Sequence, residues 1–473
     1  MDVLLVQPPL ENMIKTEVPT IVEEERGLNP PLGLMYVAAY AEKYTNHKIR
    51  ILDCLAENVS HKTLKEEIKR IKPDIVGIQA MTFTLIDVIK AAKTVKSIDD
   101  EIPVVVGGSH AHIFPFETAN LPGIDYVVLG EGEIVFADLI ENIQNPEKLK
   151  KIRGLVFRDG DNVINTGQRE LIKDLDPLPF PARHLTPYKR YSSLLAKRSP
   201  VTTMITSRGC PYKCKFCDRP HLGKVFRARS AQNVVDEMEA CVNMGIKEFL
   251  IYDDTFTIRR KRVREICYKI LETLLDVSWD VRARVDTVDE ELLKLMRKAG
   301  CERIHFGIES GNQDILRILG KGITLEEVKK AFQMAKRAGL ETLGYIMIGS
   351  PGETEAHVHR SINFVKNLGA DYVHFSIMTP FPSTAVYMDG VNRSILGSDY
   401  WKEFAENPTT DFVPKLWEEY MSRERIIQLV EFAYRSFYSR PSYVFRKLMR
   451  VKSLSEFKRK IRAGIKILRG RLV

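Results

Sequence analysis

Short β-branched runs alternate with amphipathic stretches of helix length twice along this chain, and that alternation limits the fold more than any other feature of its 473 residues. In residues 1–145 the runs Val3 to Val6, Ile49 to Asp53, Ile75 to Gln79, Val104 to Gly107 and Tyr126 to Leu129 are separated by helical patterns at Leu34 to Lys43, Leu64 to Ile71 and Val88 to Val95. This spacing predicts a parallel, doubly wound α/β sheet. From Val201 to about Pro382 the alternation returns, with strands expected at Thr202 to Thr206, Glu248 to Tyr252, Asp280 to Arg284, Arg303 to Gly307, Thr342 to Ile348 and Tyr372 to Ile377. Parallel strands of this kind collect ligands in the loops at their carboxyl ends.

The first strand of the second block runs directly into Ser207-Arg-Gly-Cys-Pro-Tyr-Lys-Cys-Lys-Phe-Cys-Asp-Arg-Pro220. Cys210, Cys214 and Cys217 offer three thiolates from one loop and no fourth. Thiolates suit zinc and iron-sulfur clusters, and a purely structural site of either kind normally takes four protein ligands. A zinc knuckle completed by His221 is the plain reading. The other is a cluster with one iron open to a small chelating molecule. The remaining cysteines, Cys54, Cys241, Cys267 and Cys301, are scattered and form no paired framework, which points to a reducing compartment.

No run of eighteen apolar residues occurs, and the first residues read as a strand and a turn, so a cytoplasmic protein is expected. The net charge of +9 comes from the tail: Arg440 to Val473 holds 12 Lys and Arg against Glu456 alone, which leaves 59 basic and 61 acidic residues elsewhere. Basicity confined to one end gives no reason to expect a nucleic-acid partner.

The Cys-x3-Cys-x2-Cys array with Phe216 before its last cysteine resembles the signature of the radical S-adenosylmethionine (SAM) superfamily. The resemblance implies a [4Fe-4S] cluster on Cys210, Cys214 and Cys217, SAM on its open iron, and a partial (β/α)6 barrel around them. It also implies roles for strand-end residues. Asp253 or Asp254 would accept from the SAM amino group, with a loop-capping Asx turn as the structural alternative. Arg282 and Arg284 would anchor a carboxylate or remain salt-bridged. Glu309 and Ser310, in Gly307-Ile-Glu-Ser-Gly311, would approach the ribose. Ile348 and Gly349, in Gly344-Tyr-Ile-Met-Ile-Gly-Ser-Pro-Gly-Glu353, would receive adenine, and two of Tyr345, Ile346, Met347 and Ile348 would only fill the barrel core.

The strand-end loops of the first block, with Pro30-Pro31-Leu32-Gly33, resemble the cobalamin-binding domain found ahead of many radical SAM barrels. Gln7, Pro8, Pro9, Gly33, Thr82, Thr84, Gly107, Gly108, Gly130 and Glu131 are the candidate contacts. The two threonines would donate hydrogen bonds and the glycines would admit the nucleotide tail. An Asp-x-His-x-x-Gly motif is absent, and His47, His61, His110 and His112 do not supply one. A flavodoxin-like domain with another ligand is the alternative.

Four regions are expected: a cobalamin-binding domain over 1–145, a proline-rich linker with a small hairpin over 146–195, the radical SAM domain over 196–385, and a helical extension over 386–473. Within the last, Phe457, Ile461, Ile465, Leu468 and Leu472 recur at helical spacing among basic residues, as in a helix lying on an anionic membrane or packed on the barrel. The overall organisation resembles the branch containing the anaerobic magnesium-protoporphyrin ester cyclase and lipid-modifying enzymes. By that resemblance, reductive cleavage of SAM yields a 5′-deoxyadenosyl radical that removes hydrogen from an unactivated carbon. Cobalamin would carry the methyl group to a hydrophobic small molecule, with a flavodoxin or ferredoxin type protein supplying electrons. Oxidative ring closure is the alternative outcome. A methylthiotransferase, which would carry a second cysteine triad where this chain has only Cys54, and a non-catalytic iron-sulfur protein are the rivals.

Overall fold

The computed structural model describes residues 1–14, 27–217 and 222–448, with side chains as far as Phe445. Its first sheet is built from Asp2–Gln7 (β1), Lys48–Asp53 (β2), Ile75–Gln79 (β3), Val104–Gly107 (β4), Tyr126–Val128 (β5), Leu155–Asp159 (β6) and Asn162–Asn165 (β7). The strand order is β2-β1-β3-β4-β5-β6-β7, parallel through β5 and antiparallel beyond it. The chain adds β2 on one side of β1 and β3 on the other, so a crevice opens at the carboxyl ends of β1 and β3, beside Gln7 and Gln79. The expected small hairpin is β6–β7. It extends this sheet through Tyr126↔Phe157 pairing, because β5 would otherwise leave an unpaired edge.

A two-stranded ribbon, Ser207–Arg208 (β9) against Arg227–Ala228 (β10), follows Val201–Met204 (β8). The second sheet joins β8 to Glu248–Ile251 (β11), Ser278–Ala283 (β12), Cys301–Glu309 (β13), Glu341–Ile348 (β14) and Tyr372–Ile377 (β15), all parallel and neighbouring in sequence order. This is the open, six-stranded (β/α)6 partial barrel. Alternation decides which side chains enter its lumen. Along β14 Tyr345 and Met347 are partly exposed, whereas Ile346 and Ile348 are fully buried in the core beneath the outer helices.

The extension does not make a core of its own. Trp401 and Phe404, on the helix Tyr400–Glu406, complete one face of the first sheet, where Trp401 meets Phe83 edge-on with ring centroids 5.9 Å apart. Helix Arg423–Tyr438 instead seals β15 with Ile426, Leu429, Val430, Ala433, Tyr434 and Phe437. Phe432 projects outward at 47% exposure. The amphipathic stretch from Phe457 to Leu472 lies outside the described residues.

Candidate active site

The cysteine loop leaves β9 and returns through β10, so its neck is an antiparallel pair, Arg208↔Arg227 and Ser207↔Ala228. Gly209 stands in that neck at φ +80, and a Cβ there would lie 2.4 Å from the Val225 carbonyl oxygen, so both the conformation and the close approach require glycine. Cys210 and Cys214 are partly buried and Cys217 is exposed. The Cys217 N–H bonds the Cys214 carbonyl at 3.2 Å, and the loop is braced from below where the Lys215 N–H donates to Leu319 O at 2.9 Å. Among the described residues no three Cys, His, Asp or Glu converge on a single ion, while His221 lies outside them. Three corners of a four-iron cube need no such convergence.

Cations surround the central thiol. The Arg284 guanidinium lies 3.8 Å from Cys214 Sγ, stacks on the Tyr212 ring at 3.7 Å, pairs with Asp286 at 2.9 Å, and donates to Lys321 O at 2.9 Å. Lys321 Nζ stands 5.8 Å from the Phe216 ring centre and 2.7 Å from Glu309 Oε1. Burial pushes the Cys214 thiol up, opposed by the charges of Lys321 and Arg284. A group that binds as a thiolate with an anionic cluster is matched by these two cations, so the residues fit a [4Fe-4S] centre. Glu309 reaches Lys321 from a left-handed backbone, φ +68, at a bulge in the β13–β14 register, which is strain placed at the mouth of the barrel. Phe216 packs in one small cluster with Met347 and Trp417.

Cys214, Phe216, Arg284 and Glu309 are thus brought together. Others of the expected residues turn elsewhere. Asp253 accepts from the Thr206 N–H at 2.6 Å, the Thr206 hydroxyl at 2.6 Å and the Ser207 hydroxyl at 2.5 Å, so both its oxygens brace the loop neck. Asp254 stands next in the same turn and is partly exposed as a residue. Ser310 is fully buried and bonds Asn312 and Ser361 behind the strand. The Ile348 side chain points into the outer core by strand alternation, so only its backbone borders the mouth.

Gly349 follows, with its N–H 2.8 Å from Glu353 Oε2, which also accepts from Ser350 N–H at 3.1 Å. Burial pushes the Glu353 carboxyl up to about 7 against the pull of those two N–H groups. The folded chain therefore favours the neutral acid, and its stability from this group falls as pH rises from the ordinary 4.5 through about 7. Glu353→Gln should remove about 3 kcal/mol of the stability loss between about pH 5 and about pH 8. Unchanged slopes of urea midpoint against pH in the variant would overturn this.

At the carboxyl edge of the first sheet, Gln7 is partly exposed, Pro8 and Pro9 are buried, and a Cβ on Gly33 would come within 3.9 Å of Gln79 Nε2. Gly107 ends β4 without crowding, and Gly130 has open space at φ +70. Gly108, at φ +128, is held by its own neighbour: a Cβ would meet Ala80 O at 2.4 Å. The threonines are less available than expected. Thr84 donates to Met81 O at 3.1 Å as part of a cap, and Thr82 lies 3.1 Å from His110 Nδ1. Asn29 Oδ1, Gln79 Oε1 and His110 Nε2, all buried along this edge, have no hydrogen-bond partner among the described residues. Burial lowers His110 to about 3, so its ring is neutral. Unsatisfied polar atoms beside an open glycine loop fit a large polar-rimmed ligand such as cobalamin.

Glu131 corrects the expectation most clearly. Its carboxylate takes Arg208 Nη1 at 2.7 Å, Arg227 Nη1 at 2.8 Å and the Ile172 N–H at 2.7 Å, leaving no oxygen for a ligand. Burial would raise it, but the two guanidiniums hold it below the usual carboxylate range.

Residues 204–365 match the radical SAM superfamily and residues 19–140 match the B12 binding domain. An uncharacterized methyltransferase of Pyrococcus horikoshii is 38% identical across 95% of both chains. The chain belongs to the radical SAM superfamily, in the group that carries a B12-binding domain. The cofactors of that group are SAM, a [4Fe-4S] cluster and cobalamin, and its members are enzymes. Another relative, the anaerobic magnesium-protoporphyrin IX monomethyl ester cyclase of Cereibacter sphaeroides, is 30% identical over 77% of this chain and 61% of its own. The fold also matches the radical SAM methyltransferase TsrM of Kitasatospora setae, solved with cobalamin and a [4Fe-4S] cluster, at TM-score 0.68 and 20% identity over 84% of this chain and 79% of that one. No helix of the described residues is long and apolar enough to cross a membrane.

Sequence reasoning missed Lys321, Arg227 and Glu353. Lys321 had a signal, since Gly320 and Gly322, both at positive φ, set a lysine in a tight loop just after the fourth-strand motif. Arg227 had none, because its role depends on a partner 96 positions away.

Proposed function

We propose that this chain methylates an unactivated carbon of a small molecule with a hydrophobic body and polar substituents. The observation that carries the reading is the joining of the cysteine loop at the barrel mouth to the carboxyl edge of the B12-binding domain, through Arg208 and Arg227 on Glu131. When bound, the cluster with SAM supplies a hydrogen-abstracting radical and cobalamin supplies a methyl group. The protein's part is to place, to orient and to exclude water. Cys210, Cys214 and Cys217 hold the cluster. Asp254, Arg284, Glu309 and the Gly349 backbone border SAM, while Gln7, Gly33, Gly107 and Gly130 border cobalamin.

Substrate enters the lumen between them. Met347 and Phe216 give it an apolar wall; the partly exposed Tyr345, whose hydroxyl lies 3.0 Å from His305 Nδ1, and Arg282, stacked on Tyr252 at 3.9 Å, give polar anchors. Electrons come from an external flavodoxin or ferredoxin type donor, since the four remaining cysteines are buried and offer no second triad for a relay cluster. Full-length protein from cells supplied with cobalamin should show corrin absorption. Given SAM and reductant anaerobically, it should form 5′-deoxyadenosine and move label from the SAM methyl group to an acceptor in a cell extract. Colourless protein would sink the reading. Deoxyadenosine and a modified acceptor without label would favour ring closure instead, the activity named for the cyclase relative.

The basic tail is proposed to rest on an anionic membrane surface. Full-length protein should float with phosphatidylglycerol vesicles, and protein shortened after Leu448 should not. Equal flotation of the two would remove the tail from the account.

A further inference from the structure

Four buried charged groups meet where the two domains touch. Glu131 receives Arg208 at 2.7 Å and Arg227 at 2.8 Å, and Glu133 receives Arg208 as well. All four side chains are between 4% and 7% exposed. The two arginines are the paired residues of the loop neck, and Arg208 stands two positions before Cys210. One carboxylate therefore grips both strands from which the cluster loop hangs. It also accepts from Ile172 N–H at 2.7 Å, while Arg227 donates to the carbonyls of Ile172 at 2.6 Å and Leu222 at 2.8 Å.

The grip comes from the ligand edge of the first sheet. Glu131 follows Gly130, whose left-handed backbone faces open space at the carboxyl end of β5. A second hold comes from the helix Leu32–Tyr44, which starts at the same edge: the Tyr36 ring lies 5.2 Å from the Arg208 guanidinium and its hydroxyl donates to Ile205 O at 3.3 Å. Buried ion pairs add little net stability against apolar packing, but they fix one geometry, and losing one partner strands the others.

We infer that Glu131 is a positioning residue that couples the two cofactor sites, so that cobalamin on the β5 edge and the cluster in the Cys210–Cys217 loop strengthen each other's binding through the Arg208 and Arg227 neck. This rests on the proposed function, since it needs both cofactors in one protein. Coupling of binding is reciprocal, and typical coupling spans about 5- to 150-fold.

The test is anaerobic titration of hydroxocobalamin into full-length protein with and without its reconstituted cluster. The cluster should tighten binding about tenfold in the wild type. In Glu131→Gln the ratio should fall to about twofold or less, whereas Glu131→Asp, which keeps the charge, should retain most of it. The electron paramagnetic resonance signal of the reduced cluster should shift on adding cobalamin in the wild type and stay fixed in Glu131→Gln. A merely structural clamp would lower the melting temperature of the variant and leave the ratio intact, which overturns the inference. So does a wild type that binds cobalamin equally well with and without the cluster. A wild type that binds no cobalamin at all overturns the proposed function instead. If Glu131→Gln does not fold, Arg227→Lys, which keeps the charge but loses the fork to Ile172 and Leu222, should reduce the ratio in the same direction, and an unchanged ratio there counts against the coupling.

Discussion

Cys214→Ala should lose 5′-deoxyadenosine formation, a drop of at least about a thousandfold, equivalent to about 4 kcal/mol of barrier. The loss follows from the position of this thiol. Two cations face it: the Arg284 guanidinium lies 3.8 Å from its sulfur, and the Lys321 charge opposes the rise that burial imposes on the thiol. Two remaining thiolates would leave the cluster short of a ligand, and its iron content and visible absorption should fall together. Cobalamin binding, on the other sheet, should survive with altered affinity. Product at wild-type level from the reconstituted variant would remove the cysteine loop from the chemistry. The same experiment separates an iron-sulfur centre from a zinc site, because only the first carries visible absorption with its iron.

Lys321→Ala should cost about 3–5 kcal/mol of stability, the usual penalty for leaving one member of a buried pair without the other. Lys321 and Glu309 are 8% and 10% exposed, and the pair is a contact of 2.7 Å. Removing the ammonium takes from the Glu309 carboxylate, on its strained backbone, the cation 2.7 Å away, and the Phe216 ring loses the cation 5.8 Å from its centre. Urea unfolding of the cluster-free protein, followed by the buried Trp279 of the barrel, reads the change. The double variant Glu309→Gln, Lys321→Met should regain much of it, since an uncharged pair of similar volume removes the unpaired charge. A Lys321→Ala protein within about 1 kcal/mol of wild type would mean that the pair behaves as if it were in water.

Much of the architecture could be read directly from the residues, and the reason is physical. Runs such as Val104 to Gly107 or Thr342 to Ile348 are buried by helices on their outer faces, so their apolar character is dictated by layer and not by partner. The observed strands begin and end within two residues of the expected ones, β13 continuing to Glu309 and β8 stopping at Met204. The cysteine loop was equally plain, because three thiols at that spacing have few uses. Side-chain partnership was not. Glu131, Asp253 and Ser310 all lie in loops at the functional edge, but each is consumed by residues tens of positions away: Arg227, Thr206 and Ser361. Local sequence tells that a carboxylate is at the edge and says nothing about which cation reaches it. Ile348 is the instructive exception, since strand alternation with the partly exposed Tyr345 and Met347 already implies that it faces outward.

The helix Tyr400–Glu406 has a consequence for how the chain is made. The face of the first sheet that holds Leu85, Ile86 and Phe83 is completed by Trp401 and Phe404. During synthesis the N-terminal domain emerges first, at about 5–20 residues per second, and the whole barrel must follow before those aromatics arrive. For that interval, tens of seconds, an apolar surface stands uncovered on an otherwise finished domain. A ribosome stalled inside the barrel should therefore yield aggregating fragments and not a usable cobalamin-binding half.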